Sequence, residues 1–278
     1  MPEPGSNAEA ITRASKSNLA FAFISLGKER RRDITIFYAF CRLIDDIADA
    51  AALRPEEKAA QLDNWRAAVR APLADEPPLA PEVRGLTARY AITPAMLDEI
   101  IDGVEMDLTI ARYETFAELR EYCYRVASAV GLVSIEIFGY QNPRCKDYAV
   151  ELGLALQVTN ILRDVAKDLA SGRIYLPRQD MVQFDYSEED LSKRTHDDRF
   201  VRLMQFEADR AHQYFHNAAL ALPPEDRRRM ISAEIMGAIY RGLLRQMERD
   251  RFRVFQREYG LSNAAKFLCA LRQLLRLV

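Results

Sequence analysis

Two short runs carry side chains suited to one kind of chemistry. In FYAFCRLIDDIAD, Tyr38, Arg42, Asp45 and Asp49 are spaced 4, 3 and 4. At about 100° per residue, Tyr38 and Asp49 fall within about 20° of each other around a helix, so the four share one stripe. In QVTNILRDVAKD, Gln157, Asn160, Asp164 and Asp168 are spaced 3, 4 and 4, with Arg163 beside them. Acidic pairs at this spacing arise readily: 41 Asp and Glu in 278 residues give about six by chance, and most such pairs belong to solvated faces. These two differ in context, because each sits in an otherwise mostly apolar helix. Two unit charges 4 Å apart repel by about 4 kcal/mol at an effective dielectric of ~20. Such carboxylates persist when paired, protonated or metal-bound.

The stripes hold too few basic residues to neutralise every acid, which makes a hard divalent cation the natural partner. Mg²⁺ takes oxygen ligands, keeps several waters and is typically held by one or two carboxylates plus substrate phosphates. Asn160 adds a neutral amide oxygen beside Asp164, while Arg42 and Arg163 offer planar forks suited to phosphate oxygens. Carboxylates, Mg²⁺ and arginines together describe a diphosphate site.

The elements that must position these residues are helices. The chain has 11 Gly and 12 Pro in 278 residues, fewer than a turn-rich β sandwich needs. Helical patterns cover roughly 7–24, 28–53, 56–71, 81–91, 94–110, 116–140, 145–170, 187–221 (with a break allowed) and 224–257, and a last helix starts at Ser262. Thr93 with Pro94 and Ser187 with Asp190 are helix-start signals. No segment alternates like a strand and no long linker divides the chain, so residues 1–278 are expected to form one all-α domain. The runs LVSIEIFGY and ELGLALQVTNIL are apolar on more than one face and belong at the centre.

Composition narrows the function classes. A net charge of −2 and a pI near 6.0 leave no global basic field for nucleic acid. The four cysteines, Cys41, Cys123, Cys145 and Cys269, form no CxxC pair, which fits a reducing, cytoplasmic setting. MPEPGSNAEA does not read as a signal peptide, and no apolar run is long enough to span a bilayer.

FYAFCRLIDDIAD, EYCYRVASAVGLVSIEIFG and LALQVTNILRDVAKDLASGRIYLP resemble the squalene/phytoene synthase family, and the weaker IYRGLL and SKSNLAFAF extend the likeness over nearly the whole chain. The resemblance implies an isoprenoid synthase helical bundle around a central cavity, and head-to-head condensation of two allylic prenyl diphosphates. It implies Mg²⁺ held by Asp45 and Asp49 on one side and by Asn160, Asp164 and Asp168 on the other. Catalytic roles carry onto those four aspartates and Tyr122. Substrate contacts carry onto Ser17, Asn18, Tyr38, Arg42, Gln157, Arg163, Arg173, Tyr175 and Tyr240. The expected substrate is farnesyl diphosphate, giving presqualene diphosphate and then squalene or a related C30 product. NADPH enters if the reductive half-reaction is catalysed. The alternatives are a phytoene synthase acting on geranylgeranyl diphosphate and a terpene cyclase.

The cations formed on this route need aromatic faces, each worth ~0.5–2 kcal/mol. Phe37, Phe40, Tyr122 and Phe138 are the candidates, with core packing the alternative for the three phenylalanines. Three places depart from the family pattern. The second motif has Lys167 where an acid is common, VASAVG places Ser128 where it would narrow the cavity, and SKSNLAFAF lacks an aromatic after its second serine. His212 and His216 stand at i,i+4 but have no third zinc ligand. GxGxxG is absent. Arg227-Arg228-Arg229 reads as a solvated helix start. KFLCALRQLLRLV is amphipathic and cationic, suited either to ordinary packing or to peripheral contact with the inner face of a membrane.

Overall fold

In the computed structural model, which describes residues 8, 23 and 26–276, the run ITIFYAFCRLI winds into α1, Lys28–Asp49. Its apolar side, from Ile34 through Phe37 and Phe40 to Ile44, is buried. The helix ends at Asp49, short of the expected 53, because Ala50 turns extended and Lys58 Nζ takes the Ala48 carbonyl at 2.7 Å. Next come α2, Pro55–Ala68, and α3, Ala80–Arg89, both opened by a proline in the first turn. Thr93 caps α4, Pro94–Thr109, accepting from the Met96 N–H.

The helix expected over 116–140 is two helices joined by one π turn: α5 is Phe116–Cys123, the π turn is Tyr124–Ser128 and α6 is Ala129–Phe138. Glycines on either side make room for the turn. A Cβ at Gly103 on α4 would stand 2.7 Å from Arg125 Cβ, and one at Gly153 would stand 2.6 Å from Ser128 Cα. Gly153 lies in α7, Cys145–Ala170, whose fullest packing is against α10, Asp198–Ala221. Residues on all sides of α7 are buried, as its two-faced apolarity predicts.

Two short helices, α8 (Arg178–Gln183) and α9 (Glu188–Ser192), precede α10. The expected helix over 187–221 is therefore broken: Arg194 takes a positive φ of 55°, and Asp197 restarts the chain by accepting from the Arg199 and Phe200 N–H groups. The expected helix over 224–257 shrinks to α11, Ile231–Arg249. At its start Pro224–Asp226 is a 3₁₀ turn, because the buried Asp226 carboxylate faces away to take the N–H groups of Gln141 and Asn142. Arg227, Arg228 and Arg229 follow in that turn rather than in a helix. At its end Arg251 and Phe252 both have φ of 52°, which folds Phe252 back until it is 1% exposed. The last helix is α12, Asn263–Leu275, capped by Ser262.

The main apolar core runs from α1 to α12, and a second, smaller cluster gathers Tyr113, Tyr122 and Tyr175 with Leu119, Leu154 and Ile161. Among the described residues the sole β pairing is an isolated bridge between Arg112 and Ile174, and no helix is long and apolar enough to cross a membrane. That bridge matters for the site. Ile174, Arg178 and Gln179 donate their N–H groups to the carbonyls of Ala111, Tyr113 and Glu114, each at 3.0 Å. They pin the flap after α7 against the segment after α4.

Candidate active site

The two acidic stripes face one another. α1 and α7 line a single chamber of about 480 Å³, into which Arg42, Asp45, Asp49, Gln157, Asn160, Arg163, Asp164 and Asp168 all project. Tyr122 from α5 and Arg173 and Tyr175 from the flap complete the expected set. Two expected contacts stand back from it. Tyr38 is half-buried on α1 and Tyr240 half-buried on α11, and neither lines the chamber; Tyr240 reaches the site through a hydrogen bond to Arg163. Ser17, Asn18 and nearly all of the helix expected over 7–24 lie outside the described residues.

Charge crowding marks the chamber. Asp45 opens toward the chamber yet is walled by protein. Burial, only partly offset by Arg42, pushes its carboxyl up to about 7, and Asp49, Asp107 and Asp46 add to the rise. Burial and then Asp164 push Asp168 up to about 7, against the opposing charges of Lys167 and Arg173. Arg163 grips Asp164 through two hydrogen bonds of 2.8 and 2.5 Å. Burial opposes its charge, but the carboxylate and Tyr240 outweigh it and hold the guanidinium firmly protonated. Arg173 Nη1 spans to Asp49 Oδ1 at 3.4 Å, linking the flap to α1.

A carboxylate absent from the sequence expectations sits at the centre. Asp107 Oδ1 accepts from the Tyr175 hydroxyl at 2.7 Å, and Oδ2 lies 3.0 Å from the Tyr122 hydroxyl. Burial pushes Asp107 up, while Tyr175, Arg173 and Tyr122 pull the other way. The Tyr122 and Tyr175 rings stack at 5.1 Å, and Tyr113 leans on both. The signal was present in the sequence: Ile100, Val104 and Asp107 are spaced 4 and 3, which puts a carboxylate on the apolar stripe of α4.

The aromatic wall is therefore tyrosine. Phe37, Phe40 and Phe138 pack in the core, 1%, 0% and 4% exposed, with Phe40 edge-on to Trp65 at 5.3 Å. Ser128 does not narrow the chamber either. It is fully buried, and its hydroxyl donates to the Val150 carbonyl at 2.8 Å. His212 pairs with Glu248 at 2.8 Å.

The donor set suits a hard cation. Asn160 Oδ1 is buried without a hydrogen-bond partner among the described residues, a costly state unless something positive meets it. Burial first and neighbouring carboxylates second disfavour the charges of Asp45 and Asp168, and a cation would relieve both. Among the described residues no three His, Cys, Asp or Glu side chains converge on one point. The carboxylates are spread over two walls, an arrangement that matches ions shared with substrate phosphates rather than caged by protein alone.

Comparison with known proteins agrees with this geometry. A model of the squalene/phytoene synthase family matches residues 12–265. The chain is 36% identical over 258 residues to 15-cis-phytoene synthase of Synechococcus elongatus, covering 87% of this chain and 82% of that one. It is 33% identical over 261 residues to phytoene synthase of Mycobacterium tuberculosis, covering 93% and 86%. Among solved structures, a dehydrosqualene synthase in complex with ligand superposes with a TM-score of 0.83 at 25% identity, covering 99% of this chain and 96% of that one. The squalene synthase HpnC of Alicyclobacillus acidocaldarius follows at a TM-score of 0.78 and 26% identity, covering 90% and 94%. These sequence relatives are phytoene synthases and back the phytoene alternative better than the squalene-type expectation, while the solved neighbours are a dehydrosqualene and a squalene synthase.

Proposed function

The chain belongs to the squalene/phytoene synthase family, and from that membership we propose that this prenyltransferase joins two geranylgeranyl diphosphates head to head to give a C40 phytoene. The observation that carries the reading is the chamber itself, in which acidic stripes from α1 and α7 oppose each other beside a tyrosine wall. The names of its sequence relatives favour the C20 substrate over the C15 one.

Asp45, Asp49, Asn160, Asp164 and Asp168 are the residues that would hold Mg²⁺. Bound there, the ion supplies Lewis-acid charge to the departing diphosphate. The side chains do the rest. Arg42 and Arg163 orient diphosphate oxygens. Loss of the first diphosphate leaves an allylic cation against the Tyr122 and Tyr175 faces, where cation–π attraction and exclusion of water protect it. Attack by the second substrate's double bond, with loss of a proton, gives a cyclopropylcarbinyl diphosphate. Its ionisation and rearrangement join the two former head carbons, and loss of a second proton closes the central double bond. The sum is redox-neutral, so this reading assigns NADPH no part. Asp107 holds the protons of both tyrosine hydroxyls, keeping their rings in register.

A peripheral membrane position follows from the same chemistry, since both substrate and product are greasy. Phe267, Leu268, Leu271, Leu274 and Leu275 on α12 are 60%, 44%, 40%, 41% and 64% exposed. From Arg241 onward the chain has nine Lys and Arg against three Asp and Glu, although its overall charge is −2. An apolar helix face set in a basic segment fits a leaflet bearing anionic lipid.

Incubating the protein with geranylgeranyl or farnesyl diphosphate, with and without Mg²⁺ and NADPH, tests the function. The expected result is a C40 hydrocarbon from the C20 substrate, formed with Mg²⁺ and unaffected by NADPH. A C30 product formed in preference would restore the squalene-type reading, and a linear C20 or C25 diphosphate would overturn head-to-head coupling.

A further inference from the structure

Among the described residues four cations line the chamber: Arg42, Arg163, Lys167 and Arg173. Three are already engaged by protein. Arg42 is ion-paired with Asp46, Arg163 grips Asp164 through both hydrogen bonds, and Arg173 lies 3.4 Å from Asp49 Oδ1 and from the Asp107 carbonyl. The Lys167 ammonium makes no hydrogen bond or ion pair with the described residues. Its charge is felt by Asp168, but no carboxylate among the described residues holds it.

Placement on the helix adds a second constraint. At about 100° per residue, Lys167 stands about 40° from Arg163, one turn further along, and about 60° from Asp164. Arg163 and Lys167 thus form a basic flank on one side of the stripe, while Asp168 lies on the other. An unengaged ammonium on a flexible four-carbon stem, facing a chamber whose ligand carries phosphate oxygens, is a point-charge anion donor.

We propose that Lys167 is a substrate-binding residue whose ammonium takes a diphosphate oxygen directly on the α7 side of the chamber. The inference rests on the diphosphate reading of the site and adds to it a protein cation that needs no metal to mediate its contact. It also distinguishes the two ends of α7's stripe. Asn160 and Asp164 face the chamber with a fixed guanidinium beside them, whereas the Lys167 end brings a mobile charge that can follow the diphosphate as it leaves the carbon chain.

Titration of inorganic pyrophosphate into the protein by calorimetry, with and without Mg²⁺, tests this. Lys167→Gln is expected to bind pyrophosphate about tenfold more weakly than wild type, the loss of one charge-assisted contact at a partly exposed site. Lys167→Arg is expected to stay within about twofold, because it restores the charge. The gap between wild type and Lys167→Gln should shrink as KCl is raised to about 1 M, where exposed charges are screened within about 3 Å; a purely structural lysine would show no such salt dependence. Circular dichroism of both variants checks that the helices are intact. Equal affinity of wild type and Lys167→Gln overturns the inference while leaving the diphosphate site standing. A wild-type protein that fails to bind pyrophosphate under either condition overturns the reading of the site itself, and the inference with it.

Discussion

Asp107 on α4 accepts a 2.7 Å hydrogen bond from the hydroxyl of Tyr175 on the flap. This bond ties α4 to the flap, and both residues line the same chamber. Tyr122 joins the same carboxylate at 3.0 Å and lies 3.3 Å from the Tyr175 hydroxyl, so one side chain sets two rings at once. Asp107→Asn keeps the shape but removes the charge that draws both phenolic protons. We expect kcat to fall by about 10- to 100-fold, the range for losing a residue that orients others, with KM within about threefold. Because Asp107 and Tyr175 act as a unit, Asp107→Asn combined with Tyr175→Phe should lose less than the product of the single losses. Steady-state kinetics of the four proteins measure this, and independent, multiplying effects would refute the shared role.

The raised carboxyls predict opposite effects on activity and stability. Asp45 and Asp168 hold their protons up to about 7, above the usual ~4 of an unfolded chain. The folded state therefore binds these protons more tightly than the unfolded state. Their favourable contribution is present below about pH 4 and is lost as pH rises through about 7. Without Mg²⁺ the protein should melt at lower temperature at pH 8 than at pH 6, and added Mg²⁺ should reverse the drop. Asp45→Asn should abolish turnover by more than ~100-fold yet raise the melting temperature at pH 8 by about 2 °C. The gain is smaller than the full shift suggests, because Asp45 opens to water. Asp164→Asn should likewise abolish turnover with the helices intact. Wild-type rates in both variants would remove the basis for the metal assignment.

The flap is also anchored from behind. Arg210 on α10 bonds Asp180 of α8 at 2.5 Å and Glu207 at 2.7 Å, with both carboxylate side chains 3% exposed. Its guanidinium lies over Phe116 at 4.2 Å and Phe206 at 4.4 Å. Arg210→Met keeps much of the stem's volume but strands two buried acids, so a loss of about 3 kcal/mol in urea unfolding is expected. An unchanged unfolding midpoint would show that water already reaches those acids.

The stripes of α1 and α7 were legible because carboxylates at helical spacing inside apolar runs have few physical explanations. Asp107 offered the same signal on α4, but as a single acid it made no pair to notice. Phe37 and Phe40 share α1 with Asp45 yet point to its core side, a facing that composition alone does not fix. The ends of α11 escaped for another reason. Asp226 gives up helix to cap the Gln141 and Asn142 amides, and Arg251 and Phe252 accept left-handed backbone to bury one ring. Both are tertiary bargains that override local propensity. The π turn after Tyr122 depends on Gly103 and Gly153, which lie 50 residues apart in sequence and meet only across the packed helices.

The exposed face of α12 yields the last prediction. Ala270 and Gln273 turn one side of the helix toward α11, while Leu271 and Leu275, one turn apart, stay 40% and 64% exposed. If that face docks on lipid, the protein should sediment with vesicles containing phosphatidylglycerol and much less with neutral phosphatidylcholine, and binding should weaken as salt rises. Leu271→Glu combined with Leu275→Glu places two charges on the docking face without touching the chamber. It should reduce vesicle binding by at least ~10-fold, while turnover of detergent-dispersed substrate stays near wild type. Equal binding of the double variant and wild type would remove the helix from any membrane contact. A concentration-dependent dimer that the double variant loses, with no vesicle binding in wild type, would assign the face to a second copy of the chain instead.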